Sequence, residues 1–230
     1  MLTLAQIKAK SAARLKGLHP AVSAAADKLI EHCYTCGVPV LITQGLRTFT
    51  EQDRLYAQGR TSAGNIVTNA RGGYSFHNYG LAVDFALLLP DGSSASWDMK
   101  RDGDRDGTAD WQEVVQQAKA LGFEWGGDWS SFKDYPHFQM SFGLTIADLL
   151  AGVQPAPSAV DAVYKLITTE EEHGVKNTVS AIVNVNGCKI AEGYIKAGVT
   201  YVPVRAIAEA LEARVSYNAA TRTVEITSSR

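Results

Sequence analysis

Apolar residues recur at helical spacing twice near the start of the chain. Residues 3–16 mix spaced lysines with apolar positions, and residues 20–36 set Val22, Ala26, Leu29 and Ile30 on one face. Pro20 suits the first turn of that second helix and Gly37 its end. Residues 38–43 read as a short strand. Residues 50–56 open another helix, with Thr48 or Thr50 able to cap it. The mostly apolar run 80–89 predicts a buried strand carrying Asp84. A helix over 111–121 ends at Gly122, and a strand over 136–141 carries His137. Helices mixed with short strands predict an α+β fold.

The texture then changes. Residues 152–158 combine Pro155 and Pro157 with small residues, as a linker does. Beyond them, 178–185 alternates as a strand, Asn186 and Gly187 form a hairpin signal, and 199–204 reads as another strand. A helix over 205–213 and a final strand over 221–227 complete a second small α+β domain. The expected organisation is a catalytic domain over 1–150, a linker over 151–159 and a second domain over 160–230. At about 70 residues the second domain is near the lower size for a self-sufficient core.

Composition removes several classes. The 46% apolar share is that of a globular protein, and a net charge of -2 gives no bulk attraction to nucleic acid or anionic lipid. No apolar run approaches the roughly 20 residues of a membrane span. Residues 1–16 lack a continuous apolar core and read as an amphipathic helix, not a secretory signal. An odd cysteine count argues against a disulfide framework. Cys33 and Cys36 form C-x-x-C beside His32, but no second pair completes a structural zinc site, so packing of both thiols is expected.

The chemistry concentrates in two patterns. His77, Asp84 and His137 supply two imidazoles and one carboxylate, which with an open fourth position describe a catalytic zinc site. Asp134, three residues before the last ligand, is the natural general base for a metal-activated water. Residues 102–113 meet the calcium-loop pattern: Asp102, Asp104, Asp106 and Asp110 at positions one, three, five and nine, Gly107 at six and Glu113 at twelve. Thr108 would give its backbone carbonyl at position seven. Ala109 departs from the usual larger apolar residue, no helix is expected before Asp102, and a solvated acidic loop is the other reading.

Ser75-Phe76-His77-x6-Asp84 with Asp134-x-x-His137 resembles the zinc peptidases that include D-Ala-D-Ala dipeptidases and carboxypeptidases and the L-alanyl-D-glutamate endopeptidases of phage endolysins. Residues 45–52 resemble the family's arginine-bearing segment and 123–129 the block before the last ligand, so the likeness spans roughly 1–143. The D-x-x-H form with this tryptophan block is closer to the endopeptidase branch. The resemblance implies a central antiparallel sheet flanked by helices, with zinc on His77, Asp84 and His137. It implies that Asp134 moves a proton from water to the leaving amine and that Arg47 steadies an oxyanion or a substrate carboxylate. A structural ion pair is the alternative for Arg47. Ser75 would donate a hydrogen bond in the same cleft, and Trp125 and Trp129 would pack its wall.

Residues 160–228 are similar to the stalk-like domain named after the N-terminal domain of copper amine oxidases. No copper ligands stand there, so a wall-targeting module or a passive appendage is expected. The combined expectation is a monomeric endolysin that cuts the L-Ala–D-Glu bond of bacterial peptidoglycan, with zinc as cofactor and calcium as a modulator. It would be made in the host cytoplasm without a signal peptide and act on the wall after release; a secreted wall enzyme stays open. The alternatives are a D,D-carboxypeptidase or D-Ala-D-Ala dipeptidase, and a non-catalytic wall-binding protein.

Overall fold

The computed structural model describes residues 2–176, 179–196, 199–218 and 223–228. Contacts divide the chain into two compact units, Met1–Thr168 and Thr169–Arg230. The first contains α1 (Leu4–Leu15), α2 (Pro20–Thr35), β1 (Val40–Gln44), α3 (Phe49–Ala57), β2 (Ala82–Leu88), β3 (Ala95–Ser96), α4 (Asp110–Ala120), β4 (Glu124–Trp125), β5 (His137–Gln139), α5 (Ile146–Leu150) and the first half of α6 (Pro157–Lys176). Local chemistry sets the helix starts. Thr3 with Gln6, Thr48 with Glu51 and Thr145 with Asp148 form reciprocal capping boxes on α1, α3 and α5, so Thr48 and not Thr50 caps α3.

The sheet runs β1-β2-β5-β4, all antiparallel, with β3 paired to the far end of β2. Successive side chains on a strand face opposite sides. One face of β2 and β5 carries Phe85 and Phe138, stacked at 4.8 Å, and Phe85 meets Trp111 of α4 at 4.3 Å. These rings join Leu29 and Ile30 of α2 and Val114 of α4 in one buried core. Truncating such a ring to alanine costs about 3–5 kcal/mol. The opposite face carries Asp84 and His137, which are register partners.

Composition places the domain boundary at 151–159, whereas contacts divide the chain between Thr168 and Thr169. The same residues explain both. Pro157 opens α6, as proline suits a first helical position. Val160, Val163 and Ile167 then pack at helical spacing on the first unit's core.

The second unit contains β6 (Val179–Val185), β7 (Cys188–Lys196), β8 (Val199–Tyr201), α7 (Val204–Ala210), β9 (Ala213–Asn218) and β10 (Thr223–Ser228). Its sheets are β6-β7-β8 and the hairpin β9-β10. Asn186 and Gly187 turn β6 into β7 with φ of 51° and 81°, the left-handed pair a two-residue hairpin needs. The strand expected to reach 204 stops at Tyr201, because Pro203 caps α7; the helix expected to reach 213 stops at Ala210, where β9 follows. Residues 178, 221 and 222 of the expected strands lie outside the described residues. Among the described residues no helix is long and apolar enough to cross a membrane.

Candidate active site

His77 sits in a 3₁₀ turn, Phe76–Tyr79, that ends on Gly80 in the left-handed region at φ 68°. Asp84 lies on β2 and His137 opposite it on β5. Beside them β1 is irregular, with Ile42 pairing Phe85 and Gln44 pairing Asp84. Such a bulge bends a strand locally. Just past it, the Gly45 carbonyl accepts a hydrogen bond from His77 Nδ1 at 2.8 Å. A carbonyl cannot donate, so Nδ1 carries the ring hydrogen and Nε2 turns its lone pair to the cluster.

His77 Nε2 stands 3.1 Å from Asp84 Oδ1 and 3.1 Å from His137 Nδ1, and His137 Nδ1 stands 3.2 Å from Asp84 Oδ1. Tetrahedral bonds of about 2.0–2.1 Å to one ion would separate ligand atoms by about 3.3 Å. The near-equilateral triangle therefore fits zinc. His77 and His137 are buried. Burial would raise the Asp84 carboxyl, but His77 and His137 outweigh it and hold Asp84 well below the usual carboxylate range.

Asp134 is outside that triangle and beside it. Its N–H donates to the Gly126 carbonyl at 3.1 Å, and its own carbonyl accepts from the His137 N–H at 3.2 Å. This turn brings the Asp134 carboxyl to the wall of a cleft of about 790 Å³ that also includes the triangle. Burial first, then the charge of Asp84, push Asp134 above the usual aspartate value. Gly126 must be glycine here, because a Cβ would collide with the Asp134 carbonyl.

Arg47 also lines the cleft. Its Nη1 donates to Gln52 Oε1 at 2.8 Å and its Nη2 lies 3.4 Å from Asp84 Oδ2. Arg47 thus lines the cleft and forms the ion pair that was the alternative reading, and both contacts leave its role toward a substrate to be tested. Gln52 is fully buried and donates to the Ala70 carbonyl at 2.7 Å and to Thr68 Oγ1 at 3.3 Å, tying the arginine to the cleft wall. Ser75, Tyr74 and Phe132 line the same space. The Trp129 ring lies 5.2 Å from that of His137, while Trp125 is packed, its indole N–H donating to the Tyr135 carbonyl. Sequence reasoning missed Gln52, Gln139 and Glu124. Gln139 is two residues after His137 on one strand, the spacing that puts both on one face.

The acidic loop adopts a compact form. Asp102, Asp104 and Asp110 bring ligand atoms together, as do Asp104, Asp106 and Glu113. The Gly107 N–H donates to Asp102, the Asp106 N–H to Asp104 and the Thr108 N–H to Asp106. Asp110 opens α4, accepts from the Gly103 N–H at 2.7 Å and pairs with Arg101 at 3.2 Å. Burial and the four aspartates push Glu113 up to about 7. Between β3 and α4 the chain forms no entering helix. Of the C-x-x-C pair, Cys33 is buried and Cys36 exposed, so packing accounts only for the first.

Residues 68–140 match a family described as D-alanyl-D-alanine carboxypeptidase, and residues 182–230 match the copper amine oxidase N-terminal domain. The chain is 61% identical over 123 residues to the peptidoglycan L-alanyl-D-glutamate endopeptidase CwlK of Bacillus subtilis (strain 168), covering 54% of this chain and 73% of that protein. It is 34% identical over 134 residues to the L-alanyl-D-glutamate peptidase of Listeria phage A118, covering 58% of this chain and 41% of the phage protein. Among solved structures, the Serratia marcescens L-Ala D-Glu endopeptidase ChiX aligns with a TM-score of 0.43 and 26% identity, over 59% of this chain and 89% of that one.

Proposed function

Because this chain belongs to the family of peptidoglycan L-alanyl-D-glutamate endopeptidases represented by CwlK, we propose that it hydrolyses the L-Ala–D-Glu bond of the peptidoglycan stem peptide at a zinc centre. The observation that carries the reading is the triangle of His77, Asp84 and His137 with Asp134 beside it in one cleft. A bound zinc would polarise the scissile carbonyl and lower the pKa of a water toward about 7. Asp134, raised by its burial, takes the proton from the attacking water and delivers it to the amine nitrogen of D-Glu as the C–N bond breaks. Arg47, anchored by Gln52, places its guanidinium where the carbonyl oxygen gains negative charge. Ser75 donates to the bound peptide from the cleft wall.

Digestion of purified sacculi, followed by mass spectrometry, tests this. Fragments with a new N-terminal D-Glu, abolished by chelator and restored by zinc, are expected. Release of D-Ala instead would support the second reading, a D,D-carboxypeptidase, which the family description at residues 68–140 favours. Wall binding without cleavage would sink both.

Calcium on Asp102, Asp104, Asp106, Thr108, Asp110 and Glu113 belongs to the same proposal, supported by the acid clusters and by Glu113, which burial first and then the four neighbouring aspartates push up. The second unit would hold the enzyme on the wall. An endolysin and a host wall enzyme share this chemistry. The phage relative supports the first setting and the Bacillus relative the second. Lysis of intact host cells only after their membrane is opened, with no effect on wall growth, would mark the endolysin.

A further inference from the structure

The outer side of His137 holds a chain of hydrogen bonds that the reaction scheme leaves unused. His137 Nε2 lies 3.1 Å from Gln139 Oε1, and Gln139 Nε2 donates to Glu124 Oε2 at 2.9 Å. Ser141 donates its hydroxyl and its backbone N–H to the other oxygen of Glu124. Strand geometry builds this chain. His137 and Gln139 share a face of β5, and Glu124 on β4 is the register partner of Gln139.

Its direction is fixed from the far end. Glu124 is exposed, and an ionised carboxylate only accepts. The Gln139 amide must turn its NH₂ to Glu124, which leaves its carbonyl oxygen toward His137. That oxygen only accepts, so His137 Nε2 carries the hydrogen. A neutral imidazole has one such hydrogen, so Nδ1, the atom in the ligand triangle, keeps a free lone pair. The chain has an opponent: Asp84 Oδ1, 3.2 Å from Nδ1, would draw the hydrogen to the wrong nitrogen.

We propose that Gln139 and Glu124 are positioning residues that hold His137 as the Nε2–H tautomer and so present Nδ1 to the metal. Gln139 is itself buried, which shields the bond from competing water. The inference rests on the zinc reading above, but only for its effect on affinity.

The test uses the full chain and two measurements: zinc affinity by chelator competition, and long-range ¹H–¹⁵N NMR of His137 in metal-free protein at a pH where the ring is neutral. Gln139→Leu should weaken zinc about 10- to 100-fold and move the ring hydrogen toward Nδ1. Gln139→Glu alone sets two carboxylates against each other and should weaken zinc as well. The paired exchange Glu124→Gln with Gln139→Glu reverses the bond between the two residues but leaves residue 139 accepting from His137 and residue 124 accepting from Ser141, so zinc affinity and the Nε2–H signal should return to the wild-type range. A purely structural role predicts no such rescue.

Wild-type affinity and an unmoved hydrogen in Gln139→Leu would overturn the proposal, as would a paired exchange no better than its single parents. Where Gln139→Leu fails to fold, the exchange pair still decides. Failure of the wild type to take up zinc would sink the proposed function, while the metal-free tautomer would still decide this inference.

Discussion

Asp84 and Asp134 are the same amino acid in the same cleft, yet their surroundings drive them apart. Asp84 is held ionised between two imidazoles, while Asp134 is buried next to that charge and binds its proton more tightly. These opposite shifts suit the proposed roles of ligand for Asp84 and base for Asp134. Asp134→Asn should lower turnover of a stem peptide about 10²- to 10⁴-fold, the usual worth of a general base. Its zinc content, read by elemental analysis, should match wild type; equal loss of metal would make Asp134 a ligand instead. Arg47→Lys should lower kcat about tenfold or more, because a point charge cannot span Gln52 and Asp84 as a planar fork does. Unchanged kcat would reduce Arg47 to a structural ion pair. His77, Asp84, His137 and Asp134 were legible in the sequence because ligand chemistry restricts residue type so narrowly. Gln52 and Gln139 were not, since glutamine is common and their meaning comes from Thr68 and Ala70 for the one and Glu124 for the other, 15 to 18 residues away and joined to them only by the fold.

Elements place those residues, and their weak points differ. Gly126→Ala should disturb the Asp134 turn and lose both thermal stability and activity, with melting and peptide turnover as the readouts. Lys8 of α1 clips α2 through Asp27 and Glu31. Burial would raise Glu31, but Lys8 and Lys28 outweigh it and lower it. Its folded value thus lies below its unfolded one, so the stabilisation is complete above the ordinary glutamate range and fades as pH falls through the lowered value. Lys8→Met should cost about 0.5–1 kcal/mol at pH 7, a modest figure because the pair is partly exposed. Denaturant midpoints of variant and wild type should draw together as pH falls through the lowered Glu31 value; a gap that does not narrow in acid would show packing as the cause. α1 to α4 could be read in advance, whereas α5 was not, although Thr145 and Asp148 cap it as Thr48 and Glu51 cap α3. β3 and β4 could not, since two residues carry no period. α6 was hidden because its opening proline also punctuates a linker.

At the scale of the whole molecule, the two units invite separate roles. Ending the chain after α6 should leave cleavage of a soluble stem peptide near wild type while slowing digestion of intact sacculi, since tethering raises local concentration only at a surface. Equal loss on both substrates would show that the second unit supports folding. One further consequence comes from the pairing of Asp84 with His137 across β2 and β5. A strand that slips by one residue sends every side chain to the opposite face. Such a misregistered chain would point its ligands into the space meant for Phe85 and Phe138, and its phenyl rings into the cleft. Only a correctly registered sheet can then capture the ion. In the proposed zinc enzyme, metal uptake would thus act as quality control, trapping the accurate alignment and leaving errant chains unarmed for wall cleavage.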